Sequence, residues 1–489
     1  MFTGILTIIV FLPLAGVLLI ALLPKEEGWQ AKYLALGVGL GTLVLSLVTA
    51  ARFDTAIAEP QFVEQYEWIP LLNVQYFFGV DGLSMPMVVL TALLSMAAIL
   101  ASWHIQVRVR EYFIWLLVLE TGVMGVFVSL DLLQFFLFWE VELIPMYMLI
   151  SIWGSGRKEY SAMKFLIYTL GSSAFMLVGI LVVGFAAGTF DMVELAATSG
   201  DWIPKLFISG EAAFFLIMAA FAVKLPIWPF HTWLPDAHTD APTAVSVMLA
   251  GVLLKMGGYG ILRISLSLFP EVARDWGWLL ATLAVVNILY GAVVTLQQTD
   301  LKRLVAFSSV SHMGFVLLGV ASFGQVGITG AALQMFTHGT ITGLLFLLVG
   351  LMYDRVHTRH IPDLGGLASR MPLIAIALLV AGLASLGLPS TSGFVAELMV
   401  FLGTFEEWRA ATILGVLGIA LSAGYILWTF QRVLFGPSKP RFQEVGDAVA
   451  VDVTGASLLL AAIMVIGIYP AFITDMFRVG VEPISRLFA

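Results

Sequence analysis

Cysteine is missing altogether from these 489 residues, which excludes disulfides, Cys-ligated zinc and Cys-ligated iron–sulfur clusters. Charge is scarce: Asp, Glu, Lys and Arg make up only 11% of the chain, against about 25% in soluble domains. No basic patch suits a nucleic acid. The Gly365-Gly366 pair follows no strand and is not a phosphate loop. Segments of about ten alternating residues, the mark of a transmembrane barrel, are lacking. The first apolar stretch has neither a basic leader nor a small-residue cleavage site, so it reads as a retained first helix.

What is present is apolar: 60% of the residues are hydrophobic and the mean hydropathy is +0.99. The apolar stretches run to roughly 18–25 residues, enough to cross about 30 Å of hydrocarbon as helix. The expected fold is an all-α integral membrane bundle of about fourteen spans. They fall near 2–23, 31–51, 82–103, 113–130, 131–153, 162–187, 210–235, 241–265, 275–297, 302–322, 327–353, 373–404, 411–435 and 453–472. With no long polar interval, the chain reads as one polytopic domain, 1–489. It divides into N-terminal helices (about 1–110), a first repeat (about 111–265), a second repeat (about 266–435) and a C-terminal helix (about 436–489).

Loop charge sets the orientation. If the loop after span 1 is cytoplasmic, that side collects fifteen basic residues, from Lys25 and Lys32 through Arg108, Arg157, Lys302 and Arg359 to Arg441. The opposite side has seven, among them Arg52, Lys205, Arg263 and Arg409. Both termini and the acidic loop 52–81 then lie on the outer side.

The two remaining basic residues, Lys224 and Lys255, sit deep within apolar stretches, and Glu140 and Glu397 interrupt two others. A charge at bilayer depth is costly and marks an ion path. Lys224 precedes Pro226, which removes a helical hydrogen bond and opens the span. A second break falls at Gly-Leu-Pro-Ser-Thr-Ser-Gly, 387–393, ahead of Glu397. Glu140 precedes Lys224 by 84 residues and His312 precedes Glu397 by 85. Five spans separate the equivalent positions, and an odd offset inverts the second unit, so the landmarks predict two inverted five-helix repeats with spans 7 and 12 broken.

Glu140 is the expected partner of Lys224. Glu142, two positions on, faces elsewhere and lies nearer the kink at Pro145. Lys255 is the next base along, flanked by Gly257, Gly258 and Gly260, which permit close helix packing. His312 and His338, each among hydroxyl side chains, can pass protons in either direction. A lone intramembrane histidine is as often a satisfied packing residue, and a lone lysine can pair without ever titrating. The densest polar motif is 229–243, with His231, Asp236, His238 and Asp240. Its spacing fits no metal pattern, so it is expected to be a proton-entry funnel or a rigid turn.

At this motif the chain resembles a known family. Lys-Leu-Pro-Ile-Trp-Pro-Phe-His-Thr-Trp-Leu-Pro-Asp-Ala-His-Thr-Asp-Ala-Pro-Thr, 224–243, is similar to the signature of the antiporter-like subunits of respiratory complex I. The likeness extends to Trp139-Glu140, to Leu-Leu-Lys-Met-Gly-Gly-Tyr-Gly at 253–260, to 300–312 and to Leu-Pro-Ser-Thr-Ser-Gly-Phe-Val-Ala-Glu at 388–397. Glutamate at 397, where sibling subunits and sodium/proton antiporters generally carry lysine, favours the M-type branch. So does an end soon after span 14, without a long lateral helix.

The resemblance implies that Glu140, Lys224, Lys255, His312, His338 and Glu397 form the hydrated axis of a proton channel. It implies quinone reduction elsewhere in an assembly, no cofactor and no metal in this chain, L-like and N-like membrane subunits on either side, and surrounding lipid. It implies an energy-transducing membrane, a bacterial inner membrane being the expectation. The rival readings are a subunit of a multisubunit sodium/proton antiporter and a non-conducting scaffold.

Overall fold

The computed structural model describes residues 4–24, 28–437 and 439–489; Lys25, used in the loop-charge count, lies outside them. Among the described residues, eleven helices are long and apolar enough to cross a membrane, or twelve if the bent pair Ser199–Lys205 and Gly210–Lys224 is one span. Met85–Ala101, Pro372–Ser385 and Ser392–Thr404 are shorter apolar helices. The chain is thus a mostly helical integral membrane protein. Helices Thr243–Leu266 and Gln325–Val356 are each buried by the others over an 18-residue stretch.

Loop contacts sort the ends of these helices onto two faces. On one, Lys32 Nζ donates to the Trp103 carbonyl at 2.6 Å, Trp153 Nε1 to the Val107 carbonyl, and Arg359 binds Asp300 and the Thr239 carbonyl, each at 2.7 Å. On the other, Asn73 Nδ2 donates to the Gly188 carbonyl at 3.0 Å and Arg263 binds Asp81 at 2.6 Å. The two sets of basic residues separated by loop charge fall on these two faces wherever such contacts place them.

The helical bundle carries one small β element that the sequence reading did not place. Loop 52–81 folds into an antiparallel hairpin of Gln61–Ile69 and Val74–Val80, closed by Pro70–Leu72 and by Asn73 at φ 53°. Two irregularities in its register, between Gln61 and Glu64 and between Glu67 and Ile69, blur the alternation a strand would otherwise print in the sequence. The hairpin buries Glu64, whose carboxylate accepts from Leu6 N at 2.8 Å and so caps the first helix. A further helix, Ala471–Arg486, follows the last long span.

The broken regions are where the sequence placed them. Gly210–Lys224 stops at the lysine, and Trp233–Asp240 resumes beyond Pro226 and Pro229. Pro372–Ser385 stops before 386–391, and Ser392–Thr404 resumes. After each stop the backbone makes the same lengthened bond, Ile227 N to Ala222 O at 2.8 Å and Leu388 N to Leu383 O at 3.0 Å.

A second pattern recurs at helix starts. Asp131 caps Leu132–Val141 and bridges to Asp191; Asp300 caps Leu301–Val320 and bridges to His360. The bonds correspond one for one: Leu132 N to Phe190 O with Leu301 N to Arg359 O, and Met192 N to Leu130 O with Ile361 N to Thr299 O. Each member of the second set lies 169 residues after its counterpart (Asp131 to Asp300, Asp191 to His360). The first bridge is on the hairpin face and the second on the opposite one.

Candidate functional site: a buried row of ionisable side chains

Pro145 has no N–H to return to the Val141 carbonyl, and the helix breaks there into Leu132–Val141 and Leu143–Trp153, with Glu142 at the joint. The joint turns Glu142 inward. Its carboxylate is fully buried and binds the Lys224 ammonium. This reverses the sequence expectation: the partner of Lys224 is Glu142, not Glu140. Glu140 is only partly buried and its Oε1 has no hydrogen-bond partner. The Lys224 ammonium also lies 5.2 Å from the Trp139 ring and 5.6 Å from Phe165, so the pair is walled by aromatic faces.

Backbone groups freed at membrane depth must find partners. Asn287, on helix Gly277–Leu296, supplies them beside Lys224: it donates to the Pro226 carbonyl at 3.1 Å and accepts from Trp228 N at 2.7 Å. Trp233 Nε1 donates to the Val223 carbonyl at 2.9 Å.

Lys255 is completely buried on helix Thr243–Leu266. Sequence gave no sign that this helix is irregular, yet it widens to π-helix at Leu249–Leu253 and again at Ile261–Leu266. Such widening re-aims backbone carbonyls and is common at functional sites. Lys255 Nζ donates to the Ala250 carbonyl, inside the first widened segment, and meets His338 Nδ1 at 2.7 Å. Gly257 permits the close packing expected of it, here against the residue after Lys224: a Cβ there would lie 2.6 Å from Leu225 N.

From His338 the row continues. Its ring centroid is 5.5 Å from that of His312; His312 Nδ1 is 3.7 Å from Glu397 Oε1, and Ser385 Oγ is 3.2 Å from His312 Nε2. His312, Gln334, His338, Ser385 and Glu397 line a void of about 10 Å³, the size of one water. Lys255, His338, His312 and Glu397 therefore form one contiguous row, while Glu140, Glu142 and Lys224 form a second cluster.

Polar residues that the sequence analysis passed over also lie inside. Glu120, in Leu-Val-Leu-Glu-Thr-Gly, is 1% exposed and its Oε1 is unpartnered. Its signal, an acid in an apolar stretch, was the same as that of Glu397. Asn287 is a neutral amide that hydropathy does not single out. The 229–243 motif disperses its polar residues: His231 meets Tyr290, Asp236 meets Lys164 and Arg303, and Asp240 accepts from Ser161. Among the described residues no group of three or more His, Asp or Glu side chains could hold a metal ion.

Comparison with known proteins agrees with this geometry. Residues 129–422 match the family model described as NADH:quinone oxidoreductase/Mrp antiporter, TM, and residues 6–124 match NADH-ubiquinone oxidoreductase chain 4, amino terminus. The chain belongs to the antiporter-like subunits of complex I. Within this family it is 43% identical over 486 residues to NADH-quinone oxidoreductase subunit M of Rhodobacter capsulatus, covering 97% of this chain and 94% of that one. It is 45% identical over 442 residues to NAD(P)H-quinone oxidoreductase chain 4-3 of Nostoc, covering 88% and 78%. A chain of respiratory complex I from Thermus thermophilus superposes with a TM-score of 0.89 at 29% identity, over 99% of this chain and all of that one. A chain of the Mrp complex from Dietzia shares the fold, with a TM-score of 0.87 at 22% identity over 100% and 99%.

Proposed function

We propose that this chain is a proton-translocating membrane subunit of complex I, driven by NADH:quinone electron transfer in other subunits. The observation that carries the reading is the row Lys255–His338–His312–Glu397, with a water-sized void between its histidines and Glu397 and a second acid–base cluster at Lys224. Such a row has no structural purpose that apolar side chains would not serve at lower cost. Glu140 is the second acid of the first cluster, within electrostatic reach of Lys224, and Lys224 exchanges between it and Glu142. Glu140, Lys224, Lys255, His312, His338 and Glu397 then relay protons along the membrane plane.

The architecture read with this function has fourteen crossings: the eleven long helices, Met85–Ala101, the bent pair ending at Lys224, and the two halves 372–385 and 392–404 taken together. Spans 4–8 and 9–13 are inverted repeats within one domain, flanked by helices 1–3 and the last span. The matched helix breaks and the matched Asp-capped bridges on opposite faces support this. The face rich in Lys and Arg is cytoplasmic, both termini lie outside, and the membrane is a bacterial inner membrane. L-like and N-like subunits and lipid cover the flanks.

The test is proton uptake by vesicles carrying the assembled complex. Lys224→Ala and Glu397→Gln are expected to lower pumping at least tenfold per assembled complex. Sodium-dependent flux would favour the antiporter reading, against which the acid at 397 speaks. Unchanged pumping in both variants, with loss of the complex on deleting the subunit, would establish a scaffold instead.

A further inference from the structure

The Lys255 helix carries a second polar run, directed toward the hairpin face. Lys255, Tyr259 and Arg263 follow one another at four-residue intervals, so each lies about one turn beyond the last. Tyr259 is completely buried, its ring edge-on to Phe127 with centroids 5.2 Å apart. Its hydroxyl donates to the Phe127 carbonyl at 3.4 Å and accepts from Arg263 Nε at 3.1 Å. Arg263 lies in the second π-helical segment, and the end of its guanidinium binds Asp81 at 2.6 Å. From Lys255 to Arg263 the helix rises about 12 Å, with the Tyr259 ring between them.

Beyond Arg263 the protein opens. Arg263 and Asp81 border a cavity of about 420 Å³ that reaches the surface at the exposed Glu59 and Arg486. Asp81 is held from behind: its Oδ1 accepts from Leu83 N and Ser84 N, each at 3.0 Å. Gly82 is pressed against helix Ala471–Arg486, where an added Cβ would collide with the Met476 carbonyl. The Asp81 charge faces the start of helix Met85–Ala101, whose positive end offsets it, so the guanidinium prevails on the Lys255 side. A buried ion pair adds little stability over apolar side chains of the same size, and packing alone does not call for one here. A guanidinium keeps its proton, so it neither accepts one from the cavity nor hands one on. Fixed in a surrounding of low dielectric, its charge repels cations, as an arginine in a pore excludes protons.

We propose that Arg263 is an electrostatic plug that closes Lys255 to the cavity on the hairpin face, so that protons on that side cannot run back into the central row. The inference rests on the proton-translocating reading above. A row open to both faces at once would discharge the gradient it builds. With the plug in place, Lys255 exchanges protons with its own row and not with the hairpin side. Arg263 touches no transferred proton; it is a positioning residue that acts through its charge.

The test uses inverted vesicles carrying the assembled complex, in which NADH oxidation builds a proton gradient with the hairpin face inside. The double variant Asp81→Asn, Arg263→Gln replaces the ion pair by two neutral amides that can still bond to each other. It is expected to lower the steady-state gradient per assembled complex several-fold. The NADH oxidation rates with and without a protonophore should then converge, electron transfer itself being undiminished. Arg263→Lys keeps the charge and is expected to hold the wild-type gradient, as is Asp81→Asn alone. A wild-type gradient in the double variant, or a collapsed one in Arg263→Lys, would overturn the plug. Should the double variant not assemble, Arg263→Gln alone is read by the same two rates. Lys224→Ala separates the two claims: if it stops pumping while the double variant holds its gradient, only the plug fails, and if neither matters, the translocating reading fails as well.

Discussion

The two clusters of buried charge are built on different plans. At Lys224 the base is held by a carboxylate, faced by two aromatic rings, and set at a helix end whose backbone is braced by Asn287 and Trp233. At Lys255 the base is held by neutral acceptors, a backbone carbonyl and an imidazole, and the row beyond it ends on Glu397 without a further cation. The first is an ion pair that must be broken before it can do anything. The second is a row in which the lysine meets an imidazole rather than a carboxylate, and two histidine rings lead on to Glu397. The contrast teaches that burying ionisable groups does not by itself make a wire; their partners decide whether charge is stored or passed on.

That contrast can be broken in order of expected effect. Removing one partner of the buried pair should cost most: Glu142→Ala leaves the Lys224 ammonium unpaired, a loss of about 3–5 kcal/mol, seen as a fall in thermal stability and in assembled complex. Glu140→Gln tests the other half of the comparison. It should leave stability within about 1 kcal/mol of wild type, since its Oε1 has no partner to lose, yet reduce proton uptake sharply. Equal stability losses at 140 and 142 would erase the distinction drawn between them.

Asn287→Leu strips two backbone groups of their partners at the break. At about 1–3 kcal/mol for each buried group left unsatisfied, it should lower the melting temperature measurably although no charge is touched. Gly257→Ala should be milder. Its Cβ would press on Leu225 N, and overpacking of this kind costs about 1–3 kcal/mol. A melting temperature equal to wild type would mean that the two clusters are not in rigid contact there.

Much of the site was visible in the sequence because a charge in an apolar stretch has few innocent explanations. Lys224, Lys255, Glu397 and both helix breaks announced themselves in this way. The choice between Glu140 and Glu142 did not, because facing was judged on a straight helix. Pro145 places the joint on Glu142 itself and swings its side chain inward. The π-helical widening around Lys255 has no composition of its own, since Leu, Ala, Gly and Val suit an α-helix equally well. Asn287 is a neutral amide and hides in hydropathy. The hairpin at 61–80 escaped because its two register irregularities interrupt the alternation that would have revealed it.

Asn287 grips the chain on both sides of Ile227 while belonging to a helix with no Asp, Glu, Lys, Arg or His. A shove on helix Gly277–Leu296 along its axis is therefore delivered to the peptide bonds next to Lys224. A rod without formal charge thus serves as a handle on a charged joint.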